Sequence, residues 1–342
     1  MEGAGGAWCE GTVVRFRYAD PDHRLAGVRL WSSTIRADLA FRPDLGVWEL
    51  CCARPPLWRL DYHLELTGAD GERHDTERAE LRCPDYAEPD WLTAPAAPGA
   101  WRRMRLPGLT ARVWSPRADT DRILVAHDGP EYDRCGRLGD YTAAAVGSGR
   151  VRPYHLVLLP PVGRTVSGPP RGSGRGGIAG SGRERIYAAD PGYARFLTGD
   201  LLPRIRSRLD GGPVVGAGVS LGALAMLHAQ WRFPAPFAGL FLQSGSYFHA
   251  RHDRQEAGFR FFRRIVRFTS RLRHSGSGPA IPVTLTCGAA EENLANNRDM
   301  ADALSKQGYA VEFAENPDAH TWTGWRDALH PHLTGLLRRV WI

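Results

Sequence analysis

Gly218-Val219-Ser220-Leu221-Gly222 stands between two stretches of different character. Before it, Pro213-Val214-Val215-Gly216-Ala217 is short, apolar and partly β-branched, which reads as a buried strand. After it, Ala223-Leu224-Ala225-Met226-Leu227-His228-Ala229-Gln230 consists of good helix formers. A serine between glycines at a strand-to-helix junction sits on a sharp turn. The glycines admit close backbone approach, the turn lifts the hydroxyl out of the sheet, and the helix N-terminus favours developing negative charge. The five-residue pattern alone is common in a chain with 39 glycines, so its strand–turn–helix setting is what marks Ser220 as the candidate nucleophile. The same setting calls for an α/β domain with a mostly parallel central sheet.

A serine nucleophile needs a base, an acid to orient that base, and donors for an oxyanion. On folds that use this elbow, the order along the chain is serine, acid, histidine. Of twelve histidines, His320 has the right place, in the loop Asn316-Pro317-Asp318-Ala319-His320 after a last strand at Ala310-Val311-Glu312-Phe313-Ala314-Glu315. The acid is sought after the apolar strand Pro282-Val283-Thr284-Leu285-Thr286-Cys287-Gly288, where Glu291 is preferred to Glu292, with Asp318 and Asp327 as further alternatives. Leu221, following the nucleophile, supplies one oxyanion amide. A second is sought after the strand Arg122-Ile123-Leu124-Val125-Ala126, in His127-Asp128-Gly129-Pro130-Glu131. Proline has no N–H, which leaves Gly129 or Glu131. His127 and Asp128 are expected to brace this loop by hydrogen bonds.

Further blocks in the same order extend the pattern: Arg183-Glu184-Arg185-Ile186-Tyr187-Ala188-Ala189-Asp190-Pro191, Gln243-Ser244-Gly245-Ser246 and Asp318-Ala319-His320-Thr321-Trp322-Thr323-Gly324-Trp325. Together with His127–Tyr132 and the elbow, they make the chain from about Trp101 onward resemble the enterochelin (enterobactin) esterases, a putative-esterase branch of the α/β-hydrolases. The resemblance implies ester or macrolactone hydrolysis with Ser220 and His320 as the catalytic pair. It also implies a small-molecule ester substrate such as an anionic ferric siderophore, and the sequence itself contains no evident metal or organic cofactor site. Arg183, Tyr132, Trp322 and Arg263 are the expected substrate-binding residues. An acyltransferase or macrolactone-forming cyclase using the same serine, and a non-catalytic ligand-binding relative, are the alternatives.

Residues 1–100 read differently. Thr12–Tyr18, Val28–Trp31, Val47–Leu50 and Leu60–Leu66 alternate apolar and polar residues between turns such as Asp20-Pro21-Asp22, as an antiparallel sandwich would. This resembles the immunoglobulin-like domain preceding the hydrolase in the same family. The expected division is therefore a β-sandwich with a linker from Pro84 to Gly99 over 1–100, and an α/β-hydrolase domain over 101–342. Alternation puts most of Trp8, Trp31, Trp48 and Trp58 in the sandwich core.

The net charge is +7, and arginine supplies all basic residues except Lys306. Arg251, Arg254, Arg260, Arg263, Arg264, Arg267, Arg271 and Arg273 crowd one helical region, read first as a solvated face and second as an attractor for an anionic ligand. No nucleic-acid-binding motif accompanies the charge. No apolar run approaches the roughly 18 residues of a membrane span, and no secretory leader pattern opens the chain. The six scattered cysteines read as cytoplasmic thiols. The glycine-rich run Ser167–Gly177 lacks phosphate-loop spacing and reads as a lid-like insertion.

Overall fold

The computed structural model describes residues 6–161, 181–233, 236–276 and 278–342. The glycine-rich run read as an insertion lies outside the described residues. The chain forms two compact units: Met1–Glu88 with Gly288–Glu291 and Asn316–Gly324, and Pro89–Cys287 with Glu292–Glu315 and Trp325–Ile342.

The first unit holds β1 (Gly6–Glu10), β2 (Val13–Ala19), β3 (Leu25–Ser32), β4 (Arg36–Asp38), β5 (Ala40–Arg42), β6 (Val47–Ala53), β7 (Arg59–Gly68), β8 (Arg73–Asp75) and β9 (Ala79–Arg82). They form two sheets, β1-β2-β6-β5 and β4-β3-β7-β8, with β9 also paired to β7. Alternation is visible in what each strand buries: Val14 and Phe16 from β2, Val28 and Leu30 from β3, Leu64 and Leu66 from β7, all in one apolar cluster. Asp20 anchors the turn after β2, accepting from the amides of Arg24 and Leu25 and from Trp48 Nε1. Of the four tryptophans expected mostly in the core, Trp48 is buried. Trp8 and Trp31 are half-buried beneath Arg17 and Arg29. Cys9 and Cys83 form a disulfide, with Cα atoms 5.2 Å apart. The reading of six thiols is therefore corrected for this pair, because the fold brings β1 of one sheet beside the residue that follows β9 of the other, 74 positions along the chain. The cysteines then no longer argue for a reducing compartment.

The second unit is built on an eight-stranded sheet: β10 (Gly99–Leu106), β11 (Leu109–Pro116), β12 (Ile123–Ala126), β13 (His155–Leu158), β14 (Val214–Val219), β15 (Gly239–Gln243), β16 (Pro282–Gly288) and β17 (Ala310–Asn316). Its order is β10-β11-β13-β12-β14-β15-β16-β17. The pairs from β13 through β12, β14 and β15 to β16 are parallel, while β10, β11 and β13 pair antiparallel. Every residue of β12, β14 and β15 is buried, as continuous apolar strands covered on both faces should be. Residues 89–98, read as linker, pack onto this unit: Trp91 is buried edge-on against Tyr141, and Asp90 pairs with Arg150. Among the described residues no helix is long and apolar enough to cross a membrane.

Candidate active site

The turn between β14 and the helix Leu221–Arg232 holds Ser220 at φ 54°, ψ −123°, a conformation that a non-glycine residue adopts at a cost. Backbone bonds pin it there, from Ser220 N–H to Gln243 O (2.9 Å) and from Ser246 N–H to Ser220 O (3.3 Å). Close backbone approach makes Gly218 obligatory and leaves little room at Gly222. A Cβ on Gly218 would lie 2.5 Å from the Gly222 carbonyl carbon, and one on Gly222 would press on Asp128 and His127. The intrahelical ladder starts with Leu224 N–H to Ser220 O, so the Leu221 amide stands ahead of it at the helix N-terminus. The Ser220 hydroxyl lies 3.2 Å from that of Ser246.

The loop after β12 is braced as the residues suggest. His127 is fully buried; its Nδ1–H donates to Gly222 O (3.0 Å) and its Nε2 lies 2.8 Å from the Tyr193 hydroxyl, which donates to it when the ring is neutral. Burial lowers its pKa to about 4. Asp128, at φ 51°, takes a two-pronged bond from Arg183 through Nε and Nη2 (2.7 and 2.5 Å). Of the two amides expected to supply the second oxyanion donor, that of Gly129 is ruled out, because its N–H is already given to Leu159 O (3.0 Å). The ladder of the helix Gly129–Gly136 begins with Tyr132 N–H to Asp128 O, and Glu131 lies in its first turn. Tyr132, expected to touch substrate, is corrected to an interior residue: it is 0 % exposed and its hydroxyl donates to Gln243 Oε1. Arg183 is mostly buried and its fork is committed to Asp128.

The neutral buried histidines have a consequence for acid stability. Burial also lowers the pKa of His228, packed edge-on against Phe268, to about 4. An unfolded histidine titrates near 6.5, so between pH 6.5 and 4 the unfolded chain binds protons that the folded one refuses. Stability is thus fully present above pH 6.5 and falls with pH, by roughly 3 kcal/mol per histidine at pH 4. Denaturant midpoints measured from pH 7 to 4.5 should drop, and His228→Met should flatten the slope. An unchanged slope in that variant would show that His228 is not held neutral.

In the first unit, Glu291 and His320 face each other, with Glu291 Oε2 2.8 Å from His320 Nδ1. The other oxygen, Oε1, accepts the Gly288 N–H at 2.8 Å, and the carboxylate side chain is 1 % exposed. Glu292 is exposed, Asp327 pairs with Arg326, and Asp318 turns towards Arg59 and the amide of Ala319, so none of these alternatives takes the place of Glu291 beside the imidazole.

The block Gln243-Ser244-Gly245-Ser246 is fixed by Asn297, which carried no sequence signal, and by Trp325, the last residue of the block that begins at Asp318. Asn297, from the helix Leu294–Lys306, accepts from Gly245 N–H and donates to Gly245 O, both at 2.9 Å. Trp325 Nε1 donates to Ser244 Oγ (2.8 Å), and Gln243 Nε2 donates to Trp325 O. In the arginine-rich helix Phe262–Arg273, Ile265, Phe268, Thr269 and Leu272 face inward. Arg264 is committed to Ala188 O and Asp190, and Arg273 to Tyr247 O, whereas Arg263, Arg267 and Arg271 are exposed. Trp322 is half-buried. Among the described residues no group of three His, Cys, Asp or Glu is arranged to hold a metal ion.

The putative esterase family model matches residues 110–336. Among curated proteins none matches the chain. Solved structures do. The ferric enterobactin esterase of Salmonella typhimurium is 17% identical with a TM-score of 0.69, covering 99% of this chain and 96% of that one. The enterobactin esterase FES of Shigella flexneri in the presence of enterobactin is 15% identical with a TM-score of 0.67, covering 99% and 96%. The same enzyme in the presence of 2,3-di-hydroxy-N-benzoyl-serine is 16% identical with a TM-score of 0.66, covering 100% and 98%. At these identities the likeness is one of fold, a mixed α/β architecture with several sheets.

Proposed function

The chain belongs to the putative esterase family, and on that premise we propose that it is a serine esterase cleaving a carboxylic-ester or macrolactone bond through an acyl-enzyme. In this reading the second unit is an α/β-hydrolase domain and the β-strands of residues 1–100 an immunoglobulin-like sandwich. The observation that carries it is the strained turn holding Ser220 at φ 54° ahead of a helix N-terminus.

Ser220 Oγ attacks the ester carbonyl as its proton passes to His320 Nε2. The Nδ1–H of His320 donates to Glu291, which keeps the ring in the right tautomer and stabilises the imidazolium. The amides of Leu221 and Glu131 hold the oxyanion. Collapse expels the alcohol with the proton from His320, and the same imidazole then takes a proton from the water that releases the acid. For substrate class we take a siderophore-type ester, supported by relatives of the same fold studied in the presence of enterobactin and its 2,3-di-hydroxy-N-benzoyl fragment. The exposed Arg263, Arg267 and Arg271 would favour such an anion.

Incubation with a fluorophosphonate, followed by peptide mass spectrometry, should place an adduct on Ser220, and ester turnover in water should yield free acid and alcohol. A folded protein with no adduct and no turnover would defeat the esterase reading. Transfer of the acyl group to an added alcohol in preference to water would recast the protein as an acyltransferase.

A further inference from the structure

We infer that Arg59, at the start of strand β7 in the sandwich, is a positioning residue for His320, acting through Asp318. The inference rests on the proposal that His320 is the catalytic base.

The base sits on the short stretch 317–321 that follows β17, and its own side chain is 37 % exposed, so burial alone does not fix it. The shape of the loop comes instead from one carboxylate. Asp318 Oδ1 accepts from Ala319 N–H (2.7 Å) and from Thr321 Oγ1 (3.2 Å), while Thr321 Oγ1 in turn accepts from Gly324 N–H (3.0 Å). These bonds bracket residue 320 on both sides. The other oxygen, Oδ2, is held by Arg59 Nε at 3.1 Å, and Arg59 Nη2 donates to Thr321 Oγ1 at 3.0 Å. One guanidinium therefore grips the two residues that flank His320 at one and two positions' distance. Beside it, Trp58 N–H donates to Pro317 O (2.7 Å), extending the same edge of the sandwich along the loop.

Asp318 also reaches the acid. Its carbonyl accepts the Ala290 N–H (3.1 Å), next to Glu291, and Ala289 N–H donates to Asn316 O (2.7 Å). Approach at this point is close, since a Cβ on Gly288 would lie 2.4 Å from Asp318 O. The Arg59–Asp318 pair thus underlies both members of the Glu291–His320 couple.

Arg59 is built for this task. It is 1 % exposed, and its remaining nitrogen, Nη1, is held by Glu80 (2.6 Å) and Asp61 (3.1 Å), which orient the fork from behind. A forked, permanently charged donor can grip Asp318 and Thr321 together, which a lysine cannot. A misplacement of about 1 Å in a catalytic group costs on the order of 100-fold in rate.

The test compares kcat and KM for a p-nitrophenyl ester in Arg59→Met, Arg59→Lys, Asp318→Asn and His320→Ala, with circular dichroism and melting curves for each. Arg59→Met should lower kcat about 100-fold with KM within about threefold, and Arg59→Lys should recover part of the loss. Combining Arg59→Met with Asp318→Asn should cost no more than the worse single change, because both break one linkage. Should Arg59→Met fail to fold, Thr321→Val removes the hydroxyl at nearly constant volume and should still lower kcat about tenfold. Wild-type kcat in folded Arg59→Met, or in Thr321→Val if that is the variant used, overturns the positioning role. If His320→Ala is inactive while those variants keep their kcat, only this inference falls. If His320→Ala keeps its rate, the assignment of the base falls first.

Discussion

Ser220→Ala is expected to lower kcat by at least about 10⁴-fold, because the covalent route then disappears and only binding and oxyanion stabilisation remain. The same change should abolish fluorophosphonate labelling. It should not unfold the protein, since alanine retains the Cβ and costs only the 3.2 Å contact with Ser246 Oγ. Backbone strain separates a nucleophile turn from an ordinary one. Ser220 bears the strain of φ 54°, ψ −123°, and so does alanine, whereas glycine does not. Ser220→Gly should therefore be as inactive as Ser220→Ala but more stable than it by about 1 kcal/mol in denaturant titration. Turnover within tenfold of wild type in Ser220→Ala would remove the nucleophile assignment. It would turn attention to Ser246, the hydroxyl beside it.

Adjacency in the chain explains what could be read beforehand. The strand Val214–Val219, the turn at Ser220 and the helix from Leu221 are written in consecutive residues of contrasting propensity. The alternating segments that became β2, β3, β6 and β7 were legible for the same reason. Competition for one amide was not legible: Gly129 is a good oxyanion donor by position, and only the fold reveals Leu159 O as the acceptor that occupies it. Tyr132 lies in a block that resembles a site, yet its place in the helix turns the ring inward to Gln243. The clamp of Asn297 on Gly245 spans 52 positions, and the grip of Arg59 on Asp318 spans 259. Local patterning carries no trace of such pairs, because nothing about an isolated asparagine or arginine distinguishes a clamp from a surface residue. Charge patterning was legible only in part. The helix Phe262–Arg273 was found from its arginines, but the two of them bonded to carbonyls were indistinguishable from the exposed ones.

Glu291→Gln should lower kcat by about 10³- to 10⁴-fold while Glu292→Gln leaves it near wild type, which separates two adjacent acids by burial and geometry. Glu291 places one oxygen 2.8 Å from His320 Nδ1 and commits the other to the Gly288 amide, whereas Glu292 is exposed. Glutamine keeps the shape, so the loop should remain folded, but it changes the chemistry of the contact. Its carbonyl oxygen can satisfy only one of the two donors. If it serves the Gly288 N–H, its NH₂ meets Nδ1 and favours the tautomer with the proton on Nε2, which cannot accept the serine proton. Even with the correct tautomer, no carboxylate offsets the imidazolium that forms as Ser220 attacks. The loss should therefore appear in kcat, with KM little changed, and in the rate of fluorophosphonate labelling. Comparable activity in wild type and Glu291→Gln would mean that serine and histidine work as a dyad, with Glu291 serving the loop through Gly288 alone. A loss in Asp318→Asn as large as that in Glu291→Gln would show that loop placement limits the reaction as much as imidazolium stabilisation does.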